Sequence, residues 1–173
     1  MAADDRVLIA GAGPVGCVAA LYLARAGIPV TLFEAEDSLP LALRASTFPP
    51  PTLDMLAQLG VVAPLIDQGI ICPTWQNRDS VRGVIAEWDL RLLKDDCRHP
   101  YRVQAEQYKL TRIIVDLLRG MPEVDVRFST PAVGVEQDAD RVRLLIEGPE
   151  GPETVAGHYL IAADGASSVI RIG

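Results

Sequence analysis

The sequence predicts an α/β fold built on a parallel sheet, and three observations point to it. Val7-Leu8-Ile9-Ala10 is a short apolar run that passes through Gly11, Gly13 and Gly16 into a second apolar stretch ending at Gly27. Split at the glycines, this reads as a buried strand, a tight turn and a helix from about Pro14 to Ala26. A second buried strand follows at Ile28-Pro29-Val30-Thr31-Leu32-Phe33, completing a strand–helix–strand unit. Further on, alternating segments mark short strands: Val124 to Phe128, then a hairpin of Val133 to Glu136 with Arg141 to Ile146 around an acidic turn. A turn at Gly148 to Gly151 precedes a final strand reaching Ile161.

The composition supports a folded domain and excludes several function classes. Of 173 residues, 49% are hydrophobic and 23% charged, too apolar for intrinsic disorder. At this size about 70 per cent of the unfolded surface can be buried. The net charge of −7, from 23 acidic and 16 basic residues, opposes nucleic acid and anionic lipid as partners. Val7 to Ala24 carries no charge, but its glycines and Pro14 interrupt a spanning helix, and Asp4 and Asp5 precede it where a signal sequence needs positive charge. No membrane segment is expected. Cys17, Cys72 and Cys97 are widely spaced and form no CxxC pair, which fits a reducing cytoplasm. With only His99 and His158, no metal site is expected.

Gly11-Ala12-Gly13-Pro14-Val15-Gly16 matches GxGxxG. The first glycine allows the sharp turn, the second lets the backbone approach a pyrophosphate, and the third lets helix and strand pack closely. The helix then directs unpaired N–H groups and its positive dipole end at the phosphates, so an acidic protein can hold an anionic cofactor. Glu34, followed by Ala35, stands 18 residues beyond Gly16 at the end of the second strand. An acid there chelates ribose hydroxyls and disfavours a 2′-phosphate, so the site suits FAD or NAD rather than NADP. The plainer reading makes Glu34 a solvated charge at a strand end.

Three further segments bear on the choice between the two. Arg44-Ala45-Ser46-Thr47-Phe48-Pro49-Pro50-Pro51-Thr52-Leu53-Asp54-Met55-Leu56, Tyr101 to Leu110, and Tyr159 to Arg171 with its Asp164-Gly165 resemble, in family order, the FAD-binding domain of the aromatic-hydroxylase flavoproteins. These are the single-component monooxygenases typified by p-hydroxybenzoate hydroxylase and the phenol hydroxylases. The resemblance implies a Rossmann-like FAD-binding domain with a parallel sheet, a β-meander and the start of an antiparallel substrate-side sheet. It places Gln107 beside the flavin, backbone near Val135 beside the adenine, and Asp164-Gly165 near the cofactor. Read without it, Arg44 is either a phosphate partner or an exposed loop arginine, Gln107 is a surface cap, and Asp164-Gly165 is an ordinary turn.

Around these sites the packing pattern is plain. Pro51 opens a short helix with Leu53, Leu56 and Leu59 on one face and Gly60 beyond its end. Leu110, Ile113, Ile114, Leu117 and Leu118 form the buried stripe of the helix that Gln107 precedes. Trp75 to Asp79 and Val84 to Asp89 read as antiparallel strands joined near Arg82-Gly83. Trp75 and Trp88 are more simply core packing than pocket lining. The expected organisation is an FAD-binding portion over 1–71, the start of a substrate-side sheet over 72–103, and the FAD-binding domain continued over 104–173.

The resemblance implies an FAD-dependent monooxygenase: NAD(P)H reduces the flavin and one oxygen atom of O2 passes to a small phenolic or related aromatic substrate. It leaves the catalytic base unassigned and the oligomeric state open, a homodimer included. The second Gly-Asp motif of such flavoproteins is not found, and the chain stops within the first turn of a helix after Ser167-Ser168, so a longer parent chain is expected. Ser167 also stands where the family often has a basic residue. Two other readings remain: a nucleotide-binding fragment without catalysis, and an NAD-dependent dehydrogenase.

Overall fold

The computed structural model describes residues 5–41 and 45–172. In chain order the elements are β1 (Val7–Ala10), α1 (Pro14–Arg25), β2 (Val30–Phe33), β3 (Thr47–Phe48), α2 (Pro50–Ala57), α3 (Val62–Asp67), β4 (Ile70–Cys72), β5 (Thr74–Asp79) and β6 (Gly83–Asp89). A 3-10 turn at Leu90–Leu93 leads to β7 (Arg102–Gln104), α4 (Gln107–Leu118), β8 (Val124–Arg127), β9 (Ala132–Gln137), β10 (Val142–Gly148), β11 (Gly151–Gly157), β12 (Tyr159–Ala162) and α5 (Val169–Ile172). The described residues of Met1–Ala42 and Thr111–Gly173 form one compact unit, and those of Leu43–Leu110 form another.

In the first unit the strands run in the order β12-β1-β2-β8, all parallel, with Val7 opposite both Val30 and Tyr159. The central strands β1 and β2 are buried along their whole length, as a parallel sheet covered on both faces requires. The helix α1 lies against β1 and β2, burying Cys17, Ala20, Leu21 and Ala24. On the other face Leu8 and Phe33 join Val142, Leu144 and Ile146 of the antiparallel meander β9-β10-β11 in one apolar cluster. The predicted second strand is shorter than expected: Ile28 and Pro29 precede β2. Proline has no N–H for a ladder, and the Pro29 carbonyl instead accepts from the Val7 N–H at 2.9 Å.

The single final strand expected to reach Ile161 is two strands. β11 closes the meander, and β12 joins the parallel sheet beside β1. The chain changes sheets at Gly157-His158, where a Cβ on Gly157 would lie 2.7 Å from Leu8 Cγ and 2.8 Å from the Arg6 carbonyl oxygen.

In the second unit β3 and β4 flank β7, both antiparallel to it, and β5 pairs with β6 as a two-stranded ribbon. Leu53, Leu56 and Leu59 are buried as their spacing predicts, although α2 starts at Pro50 and ends at Ala57. The expectation for the tryptophans is corrected. Trp75 and Trp88 face each other across the ribbon and stack with centroids 4.4 Å apart, yet they remain 47% and 43% exposed. A two-stranded ribbon has no second layer to bury an aromatic ring, so the rings cover each other. The stripe of α4 is also corrected. Leu110, Ile114, Val115 and Leu118 are buried, whereas Leu117 is exposed and Ile113 is half-buried. Steps of four from Leu110 keep 114 and 118 on one face, and 113 and 117 fall to its side.

Asp54, on α2, fastens the segment after the 3-10 turn. Its carboxylate accepts from His99 Nδ1 at 2.6 Å and from the N–H groups of Arg98 and His99, both at 3.1 Å. These bonds, the His99 side chain foremost, hold its carboxyl below the ordinary value of 3.8. A depressed carboxyl contributes stability that is complete above its unfolded pKa and lost as pH falls through the lower folded value. The acid limb of stability below about pH 3.9 is therefore expected to flatten in Asp54→Asn, measured by thermal melts against pH.

Thr31 is fully buried in β2, and among the described residues its hydroxyl has no hydrogen-bond partner. An unsatisfied buried hydroxyl costs about 1–3 kcal/mol, so Thr31→Val is expected to raise stability by about 1 kcal/mol in urea titration.

Candidate functional site

The order of the parallel sheet reverses at β1: the chain runs outward from β1 through β2 to β8, while β12 lies on the other side. In such sheets ligands bind in the crevice beyond the carboxyl ends of the strands flanking the reversal. The glycine turn leaves the carboxyl end of β1 there, and Asp164-Gly165 leaves the carboxyl end of β12 beside it, with the Ala163 N–H donating to the Ala10 carbonyl at 2.8 Å.

The three glycines of the turn meet different surroundings. Gly11 adopts φ +99°, and a Cβ on it would lie 2.5 Å from the Ala163 carbonyl oxygen. A Cβ on Gly16 would lie 1.9 Å from the Gly11 carbonyl oxygen and 3.3 Å from Ile9 Cγ2. Gly11 and Gly16 are thus required by the protein's own packing. Gly13 differs: its φ is an ordinary −67°, and a Cβ there would meet nothing within 4 Å. The turn therefore keeps open space at its middle glycine.

Gly13 is the N-cap of α1 and Pro14 its first residue, with a fixed φ suited to that position. No side chain caps the helix and its first turn holds no acid. The N–H groups of Val15 and Gly16, among the first in the helix, have no intrahelical acceptor. A helix start with this composition favours an anion.

Glu34 follows β2 and is half-buried. Its Oε2 accepts from the Ala12 N–H at 2.8 Å and its Oε1 from the Glu36 N–H at 3.1 Å. Spacing alone marked Glu34 as a partner for a sugar; it did not reveal that the same carboxylate secures the glycine turn. Each oxygen has a second lone pair for a further donor, and Ala35 is exposed beside it.

A second anchor was missed in the sequence. The buried Cys17 thiol donates to the Ala12 carbonyl at 3.1 Å, and burial, with the Glu34 charge second, pushes it up to about 12. Cys17 and Glu34 thereby satisfy both backbone polar groups of the buried residue Ala12, its N–H and its C=O. The only sequence signal for this was the position of Cys17 just inside the helix.

Asp164 accepts from the Ile170 N–H at 3.5 Å, Gly165 adopts φ +85°, and Ser168 Oγ accepts from the Arg171 N–H at 3.1 Å. The carboxyl edge of the sheet thus collects Gly11, Gly13, Pro14, Val15, Gly16, Glu34, Ala35, Asp164 and Gly165. Val135 sits within β9, its side chain against the meander cluster, with α5 lying along the same strand. Gln107 is the first residue of α4, its N–H donating to the Ala45 carbonyl at 3.0 Å, and it belongs to the second unit. Arg44 lies outside the described residues. Among the described residues, no group of three or more His, Cys, Asp and Glu side chains is placed to hold a metal ion, and no helix is long and apolar enough to cross a membrane.

The chain matches a known domain family and several known proteins. The profile of the FAD binding domain family matches residues 4–172. The chain is 37% identical over 171 residues to 6-hydroxy-3-succinoylpyridine 3-monooxygenase of Pseudomonas putida, covering 99% of this chain and 44% of that protein. It is 32% identical over 167 residues to para-nitrophenol 4-monooxygenase of a Pseudomonas species, covering 96% and 41%. The crystal structure of p-nitrophenol 4-monooxygenase from Pseudomonas putida superposes with a TM-score of 0.93 at 31% identity, covering 97% of this chain and 42% of that one. The chain thus spans less than half the length of these relatives.

The glycine geometry separates folding from binding. Gly16→Ala is expected to cost about 3 kcal/mol or more, because its Cβ meets backbone that cannot give way. Gly13→Ala is expected to change stability by less than about 1 kcal/mol. Urea denaturation of the two variants checks the contrast.

Proposed function

The chain belongs to the FAD binding domain family, and from that premise we propose that it holds the adenosine diphosphate half of FAD at the carboxyl edge of its parallel sheet, within a flavin-dependent aromatic monooxygenase. The observation that carries the reading is the open space at Gly13, set against an uncapped helix start and the Glu34 carboxylate. FAD fits these residues: a diphosphate needs close backbone and N–H donors, and a ribose needs an acceptor for its hydroxyls.

In this reading Gly13 admits the diphosphate, Pro14 presets the helix start, and the N–H groups of Val15 and Gly16 donate to it. Glu34 accepts from the ribose hydroxyls beside Ala35, and its charge repels a 2′-phosphate. Asp164 and Gly165 border the cofactor at the neighbouring strand end. Gln107 and Val135 enter only through the family resemblance, as a flavin neighbour and an adenine neighbour, and Arg44 enters through its charge in the loop after Glu34, as a phosphate partner.

The bound flavin would supply the redox chemistry, taking electrons from NAD(P)H and delivering one oxygen atom of O2 to the substrate. This chain's residues contribute placement: they orient the nucleotide and neutralise its diphosphate with backbone dipoles. The relatives named above act on a nitrophenol and a hydroxypyridine, which supports a small hydroxylated aromatic as substrate.

The test is reconstitution of the chain with FAD, followed by gel filtration and a visible spectrum. Retained bands of oxidised flavin are expected. Gly13→Val is expected to abolish retention without lowering the melting temperature, and Glu34→Gln to weaken FAD binding about tenfold. Glutamine suits this test better than alanine, because it keeps one oxygen for one of the two backbone donors that Glu34 holds, while its NH2 group cannot accept from the other. Tight NAD binding with no FAD retention would replace this reading with a dehydrogenase.

A further inference from the structure

The Glu34 segment is gripped by the stretch that follows β8. Phe33 lies opposite Arg127 in the parallel register, and the next N–H, that of Glu34, donates to the Arg127 carbonyl at 2.8 Å. The chain then doubles back: the Thr130 N–H donates to the Glu34 carbonyl at 2.8 Å, and the Ser129 N–H to the Glu36 carbonyl at 2.9 Å. Both polar groups of the Glu34 backbone are therefore held by residues 127–130. This hook requires Ser129 at φ +52°, the one non-glycine among the described residues with positive φ. That conformation is unfavourable for a residue with a side chain, so something must hold it.

The Arg127 guanidinium stands at the base of the hook and ties three strands together. Its Nε donates to Asp125 Oδ2 of β8 at 2.7 Å, its Nη1 to both Glu153 oxygens of β11 at 3.2 and 3.3 Å, and its plane lies 5.7 Å from the Phe33 ring of β2. Ion pairs exposed to this degree add little to global stability. A planar, multiply bonded guanidinium does fix direction, which lysine or glutamine cannot reproduce. Glu34 must point its carboxylate at the Ala12 N–H and at a sugar together, so direction is what matters here.

We propose that Arg127 is a positioning residue for nucleotide binding: it locks the hook over residues 127–130 and so aims the Glu34 carboxylate at the ribose. The inference rests on the proposed role of Glu34, and its test separates the two. The full chain is titrated with ADP and with 2′,3′-dideoxy-ADP, which lacks the hydroxyls that Glu34 would receive. The wild type is expected to prefer ADP by about tenfold or more, and Glu34→Gln to lose most of that preference. Arg127→Gln is expected to lower the preference about three- to tenfold while leaving dideoxy-ADP binding unchanged, and to add nothing in the Glu34→Gln background.

If Arg127→Gln weakens both ligands equally, or leaves the preference intact, Arg127 is not a positioning residue while the role of Glu34 stands. If the wild type shows no preference, or Glu34→Gln leaves it unchanged, the ribose role falls and this inference with it. Should Arg127→Gln fail to fold by circular dichroism, Glu153→Gln removes one lock from an exposed position. A partial loss of preference then supports the proposal, and an unchanged preference overturns it.

Discussion

The structure depends on how closely three stretches of backbone meet at the carboxyl edge of the parallel sheet. Gly11 lies against Ala163 on one side and against Gly16 on the other, at distances that leave no space for a side chain on either glycine. This contact sets where α1 begins, how tightly it packs on β1, and how near β12 comes to the turn. Each of these places a donor or an acceptor at the crevice. Were the turn wider, the helix start would move off the reversal point of the sheet and the open space at Gly13 would lose its facing groups.

Around that contact the polar groups of the turn are satisfied from within. Glu34 accepts from the Ala12 N–H and Cys17 donates to the Ala12 carbonyl. The consequence is a turn held in shape by its own side chains, the condition for binding without a large ordering cost. It also makes the proposed diphosphate site compatible with a net charge of −7. The favourable field is local, supplied by backbone dipoles at one helix start, and the acidic surplus lies on exposed surface where solvent screens it. In the proposed reading the acid nearest the site serves a sugar rather than a phosphate, so its charge selects among nucleotides.

What was legible in the sequence was whatever local chemistry dictates. The glycine turn was legible because Gly11 and Gly16 answer steric demands of the fold that no other residue meets. The apolar runs of β1 and β2 and the leucines of α2 were readable for the same reason. The readings that failed concern partners. Trp75 and Trp88 carry an ordinary strand pattern, and among the described residues they stand on a two-stranded ribbon that leaves them half-exposed. The stretch from Gly151 to Ala162 reads as one strand, since nothing local says that Gly157 passes within contact of Leu8 and splits it between two sheets.

The sequence by itself therefore determined the fold class, the position of the glycine turn and the acid at the end of the next strand, all consequences of short-range sterics and spacing. Only the tertiary structure decided that Cys17 and Glu34 divide the backbone groups of Ala12 between them, that Arg127 reaches three strands, and that Asp164 arrives beside Gly11. These pairings join residues far apart in the chain, and they exist because the parallel order β12-β1-β2-β8 brings those strand ends to a common edge.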